Sequence, residues 1–500
     1  MKSRKAALIV SYVYFVLNTI ISIFLSSFIV RRIGQTSFGV YQTMTAFVAY
    51  LILFEFGTGT IMTRNIALCR TDPSSPTDEE RKQGVTIFTT CLFLSLIILL
   101  AALAFYLLIP TIYAKSLSAE QITIGKKIFV FSVASLFFSF INQTLNGLLL
   151  AYEFYLFEKI CLLAKLMLRS ALVVVLLVVS SNVLLIAIID ALLSLVFLIA
   201  TTVYCIARIK LRFSFKLFDF GIFRSIIPLA FALLLQTIVN TANYNVDKFI
   251  IGIMMTPDDV SVYAISMTIF AMFSTIASIP TSIFLPKIAA KIKLGISNFE
   301  LTKSLVQICR LNIIITGLIA FGFVVIGQQF IVILYGENFK NAWLYAVLIM
   351  IPMFVYSSNG VIINIVDIYK KRHIRSLIML ATTVLNVCLT IAGIRLLGML
   401  GAALATCITL VLDLIIINIW YHKSLHLDIK HLFSKSFGSL PIILILSSVT
   451  AYSFSSKFEN LYLQFFIGGF IFVVSALLMY LLFGKNEYEQ KLIDKIMKKR

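Results

Sequence analysis

Apolar residues fill most of the chain in long runs, and short polar gaps separate one run from the next. Fourteen runs each provide the roughly 17–25 residues that a helix needs to cross a bilayer at 1.5 Å per residue. Their bounds are 6–30, 39–62, 85–110, 124–150, 159–180, 183–207, 222–254, 260–286, 309–335, 342–368, 376–397, 401–421, 437–455 and 462–483. The pattern predicts an all-α polytopic membrane protein with fourteen transmembrane helices.

The lysine and arginine residues alternate with these runs. Of the 42 in the chain, 33 lie at the termini, in every second gap or at the adjoining helix ends. Cytoplasmic loops carry such an excess of positive charge, so the pattern places both termini in the cytoplasm. Because one helix more or fewer would invert every later gap, the alternation also supports the helix count. The net charge of +20 is then explained by loops facing anionic membrane lipids, and nucleic acid is not an expected partner.

The composition leaves no room for a soluble domain, since 60% of the residues are hydrophobic and 13% are charged. The outer gaps are short, and the chain lacks a GxxxxGK[ST] phosphate loop, so we expect a protein that is not an enzyme. His422, His426 and His431 occupy one cytoplasmic gap without neighbouring cysteines or an acidic cluster. They favour an interfacial loop over a metal site. The tail 485–500 has the charge of a basic helix on the cytoplasmic leaflet.

An internal repeat relates the first and seventh helices. The segment from Phe28 to Tyr41 resembles the segment from Phe249 to Tyr263, at an offset near 222 residues. Six helices separate the copies, and an even number preserves orientation, so the repeats should be parallel. The predicted parts are an N-terminal six-helix lobe (1–215), a C-terminal six-helix lobe (216–425), two additional helices (426–484) and the basic tail (485–500).

Helix-breaking residues stand at matching points of the two halves. Gly57 and Gly59 interrupt the second helix, Pro280 stands at the corresponding distance in the eighth, and Pro286 follows it. Unwound backbone in a membrane is tolerated only where it faces protein or a cavity, so paired interruptions indicate hinges beside a transport site. An ordinary kink is the alternative for each residue alone.

The seventh helix carries a polar stripe. Gln236, Asn240, Asn243 and Asp247 follow the spacing i, i+4, i+7, i+11, which puts them on one face. In hydrocarbon such a face must line a water-filled cavity or pack against another helix. We predict that it binds substrate hydroxyl groups.

Two other helices carry weaker polar faces. Asn18 of the first helix is the repeat equivalent of Asn240, and the fourth helix has Ser135, Ser139, Asn142 and Asn146. Asn18 and Asn142 are candidate substrate contacts. Hydrogen bonding between helices is the alternative.

Two cations lie within the fifth helix. Arg169 is about ten residues into the run, and Lys165 is one turn closer to the cytoplasm on the same face. A cation at the bilayer centre costs about 2.5–3.5 kcal/mol on insertion scales, so it should be paired or functional. A phosphate-bearing substrate would find two aligned positive charges here. Snorkelling to the inner interface is the alternative.

Acidic residues also occur at membrane depth, namely Asp190, Asp247 and Asp413, with Glu55 near an inner helix end. A carboxylate in a cavity binds a proton or a sodium ion, so Asp190, Asp247 and Glu55 are candidates for ion coupling. A salt bridge to a basic residue is the competing interpretation. We expect no cofactor beyond a coupling ion.

Several short motifs resemble the polysaccharide-flippase branch of the multidrug/oligosaccharidyl-lipid/polysaccharide exporter superfamily. Their order and spacing, over almost the whole chain, carry the likeness. The motifs are Arg32-x-Gly34 with Phe38-Gly39-x-Tyr41, Glu55-Phe-Gly57 leading to Arg64, Asn245-Val-Asp247-Lys248, Phe284-x-Pro286, Tyr335-Gly336, and Gly398-x-x-Gly401-Ala-Ala403. Glu55 stands where the family more often has aspartate.

The resemblance implies two six-helix lobes in a V around a central cavity, with two appended helices typical of flippases. It adds Arg64 and Lys248 to the substrate-binding candidates. It also implies the function: flipping an undecaprenyl-diphosphate-linked oligosaccharide from the inner to the outer leaflet of a bacterial plasma membrane. The glycan would serve capsule, O-antigen or a related polymer, and a polysaccharide polymerase or glycosyltransferases would be partners.

Three other functions compete. A cation-coupled multidrug exporter or a peptidoglycan-precursor flippase would share the fold. A membrane glycan polymerase or ligase would share the helix count but generally needs a sizeable outer loop, and the longest outer gap here is only about residues 111–123.

Overall fold

The computed structural model is helical along its described length and confirms the predicted fold class. It describes residues 2–70, 77–209, 215–369, 371–486 and 489–490, apart from the side chains of residues 2–5, 239, 240, 242–244, 282, 286, 287, 298, 361, 364, 367, 368, 372 and 373. Most of the basic tail therefore lies outside the described residues.

The described helices are α1 (Lys2–Ile33), α2 (Gln35–Ala49), α3 (Thr58–Cys69), α4 (Asp78–Ile112), α5 (Ala119–Ala151), α6 (Tyr155–Val179), α7 (Leu184–Ile209), α8 (Phe220–Met254), α9 (Pro257–Lys293), α10 (Asn298–Tyr335), α11 (Ala342–Ser357), α12 (Gly360–Ile368), α13 (Arg372–Leu397), α14 (Met399–Leu425), α15 (Ile429–Phe437), α16 (Leu440–Ser455) and α17 (Leu461–Met479). Short 3-10 segments cover Tyr50–Glu55, Phe215–Leu217 and Glu337–Phe339, and a π-helical turn covers Tyr480–Gly484.

Fourteen helical stretches among the described residues are long and apolar enough to cross a membrane, the number expected from the sequence. Large apolar side chains cover their outer faces, as with Leu100 and Phe470, which are 68% and 70% exposed. Apolar surface on this scale needs a lipid environment. The chain is therefore a multi-pass membrane protein.

Polar caps define where several helices begin. Thr77 Oγ1 accepts a hydrogen bond from the backbone N–H of Glu80 at the start of α4 (3.2 Å). At the start of α5, Ser118 and Gln121 form a reciprocal capping box, with bonds of 3.3 and 2.9 Å. These side chains satisfy the backbone N–H groups that the first turn of a helix leaves open.

The contacts group the chain into two compact units, Met1–Ser261 (unit 1) and Val262–Arg500 (unit 2). The core of unit 1 joins α3, α4, α5, α7 and α8 through residues such as Met62, Ile87 and Leu148. The core of unit 2 joins α9, α10, α12, α14 and α15 through residues such as Leu305 and Tyr421. The lobe boundary predicted at residue 215 concerns the internal repeat and stays a prediction.

The second membrane span is interrupted between α2 and α3. After the 3-10 segment, Phe56 and Gly57 adopt left-handed backbone conformations with φ of 52° and 67°. Glycine enters this region at little cost, which explains its presence at the break. Gly59 instead lies inside α3, where an added Cβ would come within 2.8 Å of the carbonyl oxygen of Gln143. It allows α3 to approach α5 closely.

The prediction of an interruption in the eighth span is wrong. Helix α9 runs continuously through Pro280 and Pro286 to Lys293. A proline removes one backbone hydrogen bond and kinks a helix, but the turns on either side continue.

Unit 2 instead has its break in the tenth span, where Ser358 and Asn359 separate α11 from α12. Side chains of α10 satisfy the backbone there: Asn312 Nδ2 donates to the carbonyl oxygen of Ser357 (2.7 Å), and the Cys309 thiol to that of Ser358 (2.9 Å). Freed carbonyl groups at membrane depth require such partners.

Candidate functional site

Helix α6 carries the two predicted cations at membrane depth. It spans 25 residues, so its midpoint is residue 167, and Lys165 and Arg169 lie two residues to either side. At 1.5 Å per residue, Arg169 lies about 21 Å along the helix from Tyr155. The structure therefore places both charges in the middle of the span.

Arg169 makes a two-point ion pair with Asp190 of α7. Its Nε lies 2.6 Å from Oδ1 and its Nη2 lies 3.0 Å from Oδ2. The Tyr41 hydroxyl of α2 donates to the same Oδ2 at 3.4 Å. The Arg169 side chain remains 32% exposed and that of Asp190 22% exposed, so the pair is partly accessible.

Lys165 joins a group of serine hydroxyls beside this pair. Its Nζ donates to Ser194 Oγ at 3.1 Å, and Ser135 and Ser139 lie 3.0 and 3.1 Å from the same oxygen. Ser135 also donates to the backbone carbonyl of Asp190 (3.1 Å). We name this group the α6–α7 cluster; its members are Tyr41, Ser135, Ser139, Lys165, Arg169, Asp190 and Ser194.

The α6–α7 cluster has a formal charge of +1, because Asp190 balances only one of its two cations. A positive charge at membrane depth attracts anions strongly, since hydrocarbon screens it poorly. The planar guanidinium of Arg169 also suits two-point contact with phosphate oxygens. The arrangement can therefore bind a phosphate-bearing group.

Two other predicted contacts lie on helices that pack in the same unit. Asn142 lies on α5 three residues after Ser139, and its Oδ1 is buried without a hydrogen-bond partner among the described residues. Asn146 Oδ1 is in the same state. Buried amide oxygens normally have partners, so both are available acceptors. Asn18 is half-buried on α1, which packs against α6.

The polar stripe of the seventh span lies on α8, a different part of unit 1. Gln236 and Lys248 are half-buried and Asp247 is buried, whereas the side chains of Asn240 and Asn243 lie outside the described residues. Helix α8 packs against α2, α3 and α4, while α6 packs against α1, α5 and α7. The structure thus brings Arg169, Lys165 and Asp190 together, whereas the stripe lies on α8, a helix that contributes no residue to the α6–α7 cluster.

The remaining candidates lie on the interrupted second span. Arg64 is an exposed side chain of α3, and Glu55 is half-buried at the end of the 3-10 segment. Gly57 lies at the break itself. Their roles as substrate, coupling and hinge residues stay predictions.

Sequence reasoning missed Tyr41 as a member of the site. It served there only as a marker of the repeat and of the family motif, although its hydroxyl reaches Asp190. Its position in a motif at the start of the second span was the available signal.

A second aspartate group lies in unit 2. Asp413 of α14 is buried, accepts a hydrogen bond from Thr382 Oγ1 (3.2 Å) and lies beside Tyr356 and Arg375. Each half of the chain therefore has an arginine on its fifth helix and an aspartate on its sixth. This correspondence could be seen in the sequence, because in each half an arginine on the fifth helix is followed by an aspartate on the sixth.

His422 has a structural partner. Its Nδ1 lies 2.9 Å from the carbonyl oxygen of Leu427, in the turn between α14 and α15. Within the described ranges, no group of three histidine, cysteine, aspartate or glutamate residues is placed to hold a metal ion.

A sequence model described as "Polysaccharide biosynthesis protein" matches residues 28–344. No curated protein sequence matches the chain.

Solved structures share the fold at low sequence identity. The lipid II flippase MurJ, in an inward closed conformation, is 15% identical, with 93% of this chain and 99% of that chain covered and a TM-score of 0.71. An inward-facing multidrug resistance transporter of the MATE family and MOP superfamily is 15% identical, with coverages of 82% and 96% and a TM-score of 0.57. The eukaryotic MATE transporter AtDTX14 is 14% identical, with coverages of 84% and 96% and a TM-score of 0.52.

Proposed function

The chain belongs to the polysaccharide biosynthesis protein family, and from this membership we propose that it flips an undecaprenyl-diphosphate-linked oligosaccharide between membrane leaflets. The superfamily resemblance indicated by the motifs is confirmed by the family match and by the shared fold. The direction of transport is from the inner to the outer leaflet of a bacterial plasma membrane, and the glycan serves a cell-surface polysaccharide.

The observation that supports this proposal is the α6–α7 cluster. A diphosphate and its sugars cannot cross hydrocarbon unshielded, because an unpaired charge there is very costly, whereas the lipid tail can remain in the bilayer. Asp190 engages Nε and Nη2 of Arg169 and so fixes the plane of the guanidinium, and phosphate oxygens would bind to the N–H donors that these two contacts leave over. Lys165, one turn away, supplies the second charge for a diphosphate.

The test measures transport of lipid-linked oligosaccharide in proteoliposomes containing wild type, Arg169→Gln, Asp190→Asn or the double variant. A hydrogen bond to a charged group contributes about 1.5–3 kcal/mol, so loss of the Arg169 contact should slow flipping by about 10- to 100-fold. The double variant should remain slow, because the anion contact is still absent. Arg208→Gln, an exposed arginine in the last turn of α7, is the matched control.

One result contradicts the assignment. If the double variant flips at the wild-type rate, Arg169 serves only to neutralise Asp190. Equal amounts of protein in the vesicles, and equal unfolding temperatures, keep a folding defect from being mistaken for lost binding.

The extent of the fold likeness to the lipid II flippase, 93% of this chain, supports a second candidate substrate. Lipid II also carries a diphosphate, so the same cluster would serve. The same vesicles should be loaded with lipid II in parallel, and the faster substrate identifies the glycan class. Transport of drugs but of neither lipid would favour the multidrug alternative.

We propose that a proton or sodium gradient drives transport. Asp190 is assigned to the anion site through its contacts with Arg169 and Tyr41, and Asp247 and Glu55 stay the candidates for ion coupling. Imposed proton or sodium gradients across the same vesicles, with Asp247→Asn and Glu55→Gln, test this directly. A polymerase or glycosyltransferase partner remains part of the proposal.

A further inference from the structure

A cavity lies within unit 2, apart from the residues of the α6–α7 cluster. Its volume is about 360 Å³, and its walls are the end of α9, the first half of α10 and the residues that follow α17. It shares no lining residue with the α6–α7 cluster or with the stripe on α8. The lysine and arginine pattern assigns this end of α9 and α10 to the cytoplasmic side.

One wall of the cavity is a buried ion pair. Arg310 is 3% exposed, and its Nε and Nη2 lie 2.7 and 3.1 Å from the Glu489 carboxylate. The same guanidinium donates to the backbone carbonyls of Gly484 and Ser436. Arg310 therefore fastens the segment after α17 to α10, and Glu489 neutralises it.

The other charged group is Lys291, in the last turn of α9. Its Nζ donates to Ser304 Oγ (2.9 Å), and its side chain is half-buried at the cavity. Since Arg310 and Glu489 cancel, the lining has a formal charge of +1 that belongs to Lys291. A ligand with a single negative charge would neutralise it.

The rest of the lining is largely apolar. Phe284 and Ile288 come from α9, and Leu311 and Ile314 from α10. Leu311 is 39% exposed, so it lies between the cavity and the surroundings of the helices. One charged wall and one apolar wall fit an amphiphile rather than a free ion or a sugar.

We propose that this cavity binds one anionic phospholipid, with its phosphodiester beside Lys291 and the first part of its acyl chains along Ile288 and Leu311. The single negative charge of such a lipid matches the net charge of the lining. A zwitterionic lipid adds a cation that Lys291 repels. The volume suits a headgroup and the start of the chains, at the lower end of small-molecule sites.

The test uses the purified full chain in detergent, titrated with phosphatidylglycerol or with phosphatidylcholine of the same acyl chains, and bound lipid is counted by native mass spectrometry. A Lys or Arg beside an anionic lipid is worth about 1 kcal/mol, so Lys291→Gln should weaken phosphatidylglycerol binding about fivefold and leave phosphatidylcholine unchanged. Lys293→Gln, an exposed lysine in the same turn, is the matched control.

A steric variant tests the apolar wall separately. Leu311→Trp should fill the cavity and displace phosphatidylglycerol, whereas Leu318→Trp, equally exposed on the same helix but outside the lining, should not. Thermal unfolding of each variant confirms that the chain is folded.

Three results would overturn the proposal. Equal weakening by Lys291→Gln and Lys293→Gln would show diffuse attraction to the protein surface. Unchanged binding in Leu311→Trp would place the lipid elsewhere. Displacement of phosphatidylglycerol by millimolar inorganic phosphate would show a site for the free anion.

Discussion

Arg169 and Asp190 meet through two parallel contacts although 21 residues and the turn between α6 and α7 separate them in the chain. Each charge alone would disfavour insertion of its helix into hydrocarbon. Paired, they lower that cost and fix the guanidinium plane. Because Asp190 balances Arg169, Lys165 provides the uncompensated positive charge of the cluster. The two cations lie one turn apart on α6, so a single anion can contact both of them.

Arg169→Lys should keep the charge but lose the fork that makes two contacts at once. We expect flipping to slow by about tenfold, the equivalent of about 1.4 kcal/mol. Initial rates in proteoliposomes measure this. A rate equal to that of wild type would mean that a point charge is sufficient and that the planar geometry is irrelevant.

Gly147→Ala should loosen the contact between α3 and α5. A Cβ at this position would lie 2.2 Å from the carbonyl oxygen of Gly59, and backbone cannot move aside as a side chain can. Overpacking of this kind costs about 1–3 kcal/mol, so the unfolding temperature in detergent should fall. Gly125→Ala on the same helix is the control, because its Cβ would meet only the flexible side chain of Met44 at 3.3 Å. Equal effects of the two variants would contradict the interpretation.

Gly360→Ala should disturb the break between α11 and α12. The new Cβ would lie 2.6 Å from Thr281 Oγ1, a side-chain atom rather than backbone. Removing that atom should relieve the clash, so the double variant with Thr281→Ala should regain most of the lost stability. Thermal unfolding of both variants and of Thr281→Ala alone measures the coupling. Additive losses would show that the strain has another source.

Tyr152→Phe should destabilise, in a pH-dependent way, the contact between the end of α5 and the start of α4. The Tyr152 hydroxyl donates to Glu80 Oε2 at 2.5 Å, and burial, followed by this bond, raises the pKa of Tyr152 above its ordinary value of 10. A group with a raised folded pKa stabilises the protein fully below its unfolded pKa, and the stabilisation is lost as pH rises beyond it. We expect the variant to lose about 1.5–3 kcal/mol at pH 8 and the gap to wild type to narrow above pH 10.

The measurement is the unfolding temperature of the two proteins between pH 8 and pH 11. Tyr155→Phe, three residues further on at the start of α6, controls for loss of a hydroxyl. The ring of Tyr152, over which Arg70 lies at 4.6 Å, is retained in the variant. A difference that stays constant with pH would exclude the hydroxyl as its cause.

The number and order of the membrane spans could be predicted because hydrocarbon imposes a strict requirement on every crossing segment. Run length predicts the helices, and the positive-inside rule independently checks their count. The same requirement identified Arg169 and Asp190 individually as unusual charges at membrane depth. Their pairing could not be predicted, because it depends on how α6 and α7 are rotated against each other, and apolar runs carry little information about that rotation.

The interruptions were predicted less well. Gly57 was identifiable because a left-handed residue favours glycine, whereas Pro280 was misleading because α9 continues through it to Lys293. The break at Ser358 and Asn359 was missed, although a small polar run inside an apolar segment marked it. Its stability depends on Cys309 and Asn312 of another helix, which no local pattern reveals.

The two breaks do not fall at equivalent places, because unit 1 is interrupted in the second span of the chain and unit 2 in the tenth span, the fourth of the second repeat. If the halves arose by duplication, their discontinuities have since diverged in location. A mechanical role established for one half therefore cannot be transferred to the other by symmetry, and substitutions should be designed for each half on its own terms.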